Sequence, residues 1–171
     1  MTARLKMTCL GLISLLILCT GCVATSRQFV GNTTSPAQPI IVLQPGGPHA
    51  DSWQTFDIKL DYQYQKDGDV FEISGVAVLS SHYEAMYARL RDLRVFLFFL
   101  DKDSRVLQSE ILDRSLTTQL DERLQFTRIY KLPPGTASIT FGYDGAVKGE
   151  NEGRGMMMEN SRSFYLLPLG K

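Results

Sequence analysis

Cysteine is scarce in this 171-residue chain: Cys9, Cys19 and Cys22 stand near its start and none follows. From residue 23 onward no disulfide and no thiolate metal site can form. Stability there must come from an apolar core, which a domain of ~120 residues can supply. Histidine is almost as rare, with His49 and His82 lacking a second His at ligand spacing. Charge of neither sign dominates, since 18 basic residues face 18 acidic ones and no dense Lys/Arg patch stands out. Nucleic acid and anionic lipid headgroups are therefore not expected as partners. No nucleophile elbow, phosphate loop or zinc-protease motif appears, so no catalytic residue and no cofactor is expected.

What is present begins with address information. Arg4 and Lys6 precede a nearly continuous apolar run from Leu10 to Leu18. That is a charged region followed by an apolar one too short to span a bilayer as a helix, which reads as an export signal. The ending Leu18-Cys19-Thr20-Gly21-Cys22 resembles the lipobox of bacterial lipoproteins, in which small residues precede a cysteine that becomes the acylated first residue. It departs from the pattern at Cys19, where the family usually carries Leu. The resemblance implies a signal over residues 1–21, cleavage between Gly21 and Cys22, and a Cys22 carrying palmitate-type chains. Such chains would hold the protein to a membrane, because each buried methylene contributes ~0.8 kcal/mol and two or more chains anchor firmly. Val23, rather than Asp, follows Cys22. By analogy with lipoprotein sorting, that implies the periplasmic face of the outer membrane. An ordinary export signal cut near Val23-Ala24-Thr25 stays open as the other reading. After cleavage 16 basic residues would face 18 acidic ones.

Residues 22–50 have linker composition: no acidic residue, one Arg, and Pro36, Pro39, Pro45 and Pro48 among Ser, Thr, Asn and Gly. Fully extended, such a stretch reaches ~90 Å, and as a coil about a third of that. Within it Ile40, Ile41, Val42 and Leu43 form an apolar quartet. Two readings stand: an edge strand docking on the following domain, or a segment that pairs with another protein by strand addition.

Residues 51–169 carry a period of two. Phe56, Ile58, Leu60, Tyr62 and Tyr64 alternate with polar residues, and Lys66-Asp67-Gly68-Asp69 is a hairpin signal before the run from Val70 to Leu79. There Phe71 and Ile73 fall on the face opposite Val76 and Val78, which predicts a bulge at Ser74-Gly75. Ser81 to Leu90 has a short helical look and suits a crossover between sheets. Leu93 to Leu100 is apolar on both faces after Val95, as in a central strand covered on each side. Strands are further expected over 105–112, 122–132, 137–143 and 163–167, with a polar loop over 144–160. The chain should be all-β, a sandwich of seven to eight antiparallel strands. Residues 93–107, Phe126 and 132–136 (Leu-Pro-Pro-Gly-Thr) resemble the immunoglobulin-like and fibronectin-type modules of bacterial envelope proteins. The resemblance implies fold more than function.

Three functional classes follow. The first is a membrane-anchored, non-catalytic module that binds another envelope protein, with Ile40, Ile41, Val42 and Leu43 and the run Met156, Met157 and Met158 as contact surface. The second is a small-ligand or metal-binding lipoprotein. Its loop over 153–160 would supply soft thioethers that suit Cu(I), lined by Trp53, Tyr62 and Tyr64. The third is an enzyme with carboxylates that converge only on folding. Asp101 and Asp103 have calcium-loop spacing, but Lys102 between them and the missing Gly and distal Glu point to a plain turn.

Overall fold

The computed structural model describes residues 28–149 and 161–170. The signal, Gly21 and Cys22, and Met156, Met157 and Met158 lie outside the described residues.

Among the described residues nine strands and one helical turn form two antiparallel sheets. They are β1 (Ile41–Val42), β2 (Gly46–Gln54), β3 (Ile58–Asp67), β4 (Val70–Leu79), α1 (His82–Met86), β5 (Arg89–Leu100), β6 (Val106–Arg114), β7 (Leu124–Lys131), β8 (Ser138–Lys148) and β9 (Ser161–Leu166). The back sheet runs β2-β3-β4-β7. The front sheet runs β8-β5-β6, with β1 and β9 sharing the outer edge of β8 end to end. The connections β1–β2, β4–β5 through α1, β6–β7 and β7–β8 cross between sheets, which makes an antiparallel β-sandwich.

Alternation explains the core. Ile58, Leu60, Tyr62 and Tyr64 of β3 point inward, as do Phe71, Ile73, Ala77 and Leu79 of β4 and Val95, Leu97 and Phe99 of β5. Aromatic edges meet faces across the layer, Trp53 on Phe141 at 5.6 Å and Phe71 on Phe99 at 5.8 Å. Each fully buried side chain of this size contributes ~1.5–3 kcal/mol. The β3–β4 hairpin turns at Gly68, whose φ of 58° is open to glycine without a Cβ clash. Phe56 does not continue the β3 alternation. It lies outside the strand, 70% exposed, with its ring against His82.

Three expectations are revised. No bulge occurs at Ser74-Gly75, because β4 keeps continuous register with both β3 and β7. Gly75 belongs to the inward series. A Cβ there would sit 2.6 Å from the Asp61 carbonyl oxygen and 2.8 Å from Phe126 Cζ, so the gap in the apolar pattern makes room for a ring. The loop expected from Asp144 starts later, since β8 continues to Lys148 paired with β5 and β9. Gly145 interrupts the alternation there because the Phe164 ring occupies the place of its Cβ, 2.5 Å away.

The stretch with linker composition is the third. From Phe29 onward it is built into the sandwich, and it supplies β1 and most of β2. Its prolines are compatible with that. Pro48 sits where the β2–β3 register shifts, on an edge strand where a missing N–H is tolerated. The Pro39 carbonyl accepts from Trp53 Nε1 at 3.1 Å and Thr140 Oγ1 at 2.8 Å.

Candidate interaction surface

The outer face of the front sheet follows from the residues of β5 that alternate with its core positions: Asp92, Arg94, Phe96, Phe98 and Leu100. Two are charged and three are apolar, so one half of the face tolerates water and the other requires a cover. The cover is the segment over residues 28–33, here called the arm. Phe29 stands edge-on to Phe96 at 6.0 Å and to Phe98 at 5.4 Å, and these rings form a second buried cluster with Leu100 and Val106. Main-chain bonds fix the arm. The Gly31 N–H donates to the Val106 carbonyl (2.8 Å) and the Val106 N–H to the Asn32 carbonyl (2.9 Å). Thr33 and Leu169 exchange N–H to carbonyl bonds in both directions, at 3.2 and 2.8 Å. Further along, Gln38 Nε2 donates to the Phe141 carbonyl (3.1 Å), satisfying the β8 edge where neither β1 nor β9 pairs with it. Gly142 lies under this packing. A Cβ would meet the Leu166 carbonyl oxygen at 2.5 Å and Phe98 Cε2 at 2.7 Å.

The uncovered half is a shallow groove of about 470 Å³ lined by Asp92, Arg94, Asp144, Ala146, Ser163 and Tyr165, among others. Arg94 binds the Asp144 carboxylate through two bonds, Nε to Oδ1 at 2.8 Å and Nη2 to Oδ2 at 2.6 Å, with Asp92 at 3.8 Å. The bond to Asp144 pushes the Arg94 guanidinium further up from its already high pKa. Tyr165 points outward and is 72% exposed, whereas Phe164 beside it is in the core.

A separate polar cluster sits where the β2–β3 turn meets α1. The Asp57 carboxylate accepts from the Tyr83 hydroxyl at 2.6 Å and the Tyr143 hydroxyl at 2.7 Å, and Thr55 Oγ1 donates to Tyr143 Oη at 3.2 Å. Burial first, then the bond to Asp57, keeps the Tyr83 phenol protonated well beyond its ordinary range, and burial does most of the same for Tyr143. Both carboxylate oxygens are engaged by phenols from α1 and β8, so the arrangement ties the two sheets together.

The quartet at residues 40–43 divides by alternation. Ile41 and Leu43 turn onto the core, while Ile40 and Val42 face outward at 42% and 71% exposure. Ile41 and Val42 pair with Ile139 and Ser138 of β8, so the segment is an edge strand of its own domain. The Asp101 carboxylate is spent within its turn, accepting the N–H groups of Asp103 (2.8 Å) and Arg105 (2.9 Å) around Ser104, which has a φ of 60°. Trp53, Tyr62 and Tyr64 are buried core side chains. His49 is stacked on Tyr64, and His82 lies between Phe56 and Tyr83. Among the described residues no three His, Cys, Asp or Glu side chains converge as metal ligands.

Sequence reasoning missed the groove and the arm. The signal for the arm was a strand apolar on both faces, which demands an outer cover, together with Phe29, the one aromatic residue between Cys22 and Trp53. No protein-family model, curated protein or solved structure matches the chain.

Proposed function

We propose that this protein is a lipoprotein of the bacterial envelope, acylated on Cys22 after cleavage at Gly21, and that it acts as a non-catalytic protein-binding or assembly module. It works from the periplasmic face of the outer membrane. The observation that carries the protein-binding part is the outward pair formed by Ile40, just before β1, and Val42 on β1. These two apolar side chains stand in water at a strand that is terminal in its sheet among the described residues. Exposed apolar side chains on an open strand edge favour association with another chain. Met156, Met157 and Met158 lie in the sequence joining β8 to β9 and are proposed to add adaptable contacts.

A photocrosslinking amino acid at position 42, activated in native membranes, should capture a distinct envelope protein, and one at Lys59 on the back sheet serves as the reference. Val42→Asp should abolish a specific complex while leaving thermal stability nearly unchanged, because the side chain is solvent-facing. Crosslinks that return only the protein itself would remove the binding reading. Cys22→Ala should release the chain from the membrane fraction, and unchanged partitioning would remove the anchor.

A further inference from the structure

We propose that the groove half of the front sheet's outer face, formed by Arg94, Asp144 and Tyr165, turns toward the lipid bilayer, that Ile40 and Val42 at the opposite end of β8 stay free for a partner, and that the outer face of the back sheet points away from the membrane. This rests on the acylation of Cys22 and adds an orientation to it.

Only five residues, Val23 to Arg27, separate Cys22 from Gln28. A chain extends at most ~3.6 Å per residue, so the acylated residue lies within about 20 Å of Gln28. Gln28 precedes Phe29, whose ring is wedged against Phe96 and Phe98 on the outside of β5, an inner strand of the front sheet. From there, reaching the outer face of the back sheet means passing beyond the sheet edge and then through both layers. Strands are spaced ~4.8 Å apart and sheets ~10 Å, with outward side chains added on each face, so that path exceeds the ~20 Å the tether allows. The long reach that linker composition suggests is lost because the arm is docked.

The surface chemistry agrees. Tyr165 offers the ring-plus-hydroxyl chemistry that suits a membrane interface, and Val30 and Leu169, in or beside the arm, are 49% and 53% exposed. Arg94 neutralises Asp144, which leaves Asp92 as the remaining charge of that cluster, at 55% side-chain exposure. The back face carries Lys59, Asp61, Gln63, Gln65 and Glu72, a hydrated ladder in which exposed Val70 and Ile129 are isolated apolar residues with no interfacial aromatic beside them.

Because no cysteine follows Cys22, single cysteines can be introduced and labelled in the acylated full chain. Tyr165→Cys and Gln63→Cys, each carrying a fluorophore, would be placed in phosphatidylethanolamine–phosphatidylglycerol vesicles containing headgroup spin-labelled lipid. The expected result is loss of fluorescence at position 165 and none at position 63. Inserting about 20 Gly/Ser residues between Arg27 and Gln28, a coil of roughly 25 Å, should remove the difference. Quenching at 165 that survives the insertion also supports the orientation, through affinity of the face itself. Equal quenching at the two positions, or stronger quenching at 63, overturns the orientation while leaving the anchor intact. Mass spectrometry of the same sample showing an unmodified Cys22 overturns both.

Discussion

The two outer faces of the sandwich solve different problems. On the back sheet, β3 and β4 present Lys59, Asp61, Gln63, Gln65 and Glu72 outward, and among the described residues the apolar interruptions are exposed Val70, half-buried Val76 and Val78, and exposed Ile129 on β7. Water is an adequate neighbour for that face. On the front sheet, β5 places Phe96, Phe98 and Leu100 outward, and together with Phe29 and Val106 they are nearly inaccessible. That face is stable only because the arm closes it. The cover is therefore part of the fold, and it fixes how far the folded body can stand from Cys22.

The difference can be broken most forcefully at Phe29. Phe29→Ala should cost about 3 kcal/mol, read from the urea midpoint, because a ring packed edge-on to two others is lost with its cover. Ile129→Ala on the back face, at 67% exposure, should move the same midpoint by less than ~0.5 kcal/mol. Equal effects would mean that the arm contributes nothing particular. Gly142→Ala should cost ~2 kcal/mol, since the added methyl group must displace Phe98 or β9. A neutral result would show that the front face packs less tightly than described.

The link between the sheets gives a pH test. Burial holds the Tyr83 and Tyr143 phenols protonated in the folded state well above the pH at which they ionise in the unfolded chain. Stability should therefore be level with respect to these groups below about pH 10 and fall as pH rises further, because only the unfolded chain then releases those protons. Urea midpoints that stay flat through pH 11 would contradict this. The smallest effect is expected at the groove. Asp144→Asn should cost a few tenths of a kcal/mol, less at high salt, because the Arg94 side chain is 45% exposed.

Much of the sandwich was legible in the sequence. The alternation through Ile58, Leu60, Tyr62 and Tyr64 and the Asp67-Gly68 turn specify a hairpin that depends on local chemistry alone. The double-faced apolar run of β5 announced a strand covered on both sides. What could not be read was which segment covers it. Gly31 and Thr33 find their partners at Val106 and Leu169, distant in sequence, and a proline-rich composition without acidic residues carries no trace of such bonds. Glycines misled for a similar reason. Gly75 and Gly145 look like breaks in a strand, yet each is a place reserved for an aromatic ring, Phe126 in one case and Phe164 in the other. The groove was invisible because Arg94, Asp144 and Tyr165 come from three strands and meet only after folding.

Amide hydrogen exchange on the whole chain tests the docked arm most directly. The amides of Gly31, Thr33 and Val106, bonded to Val106, Leu169 and Asn32 respectively, should be protected to a degree approaching that of central β5. Exchange at unstructured-chain rates over residues 29–33, with β5 still protected, would show the arm to be free and would restore a long tether between Cys22 and the sandwich.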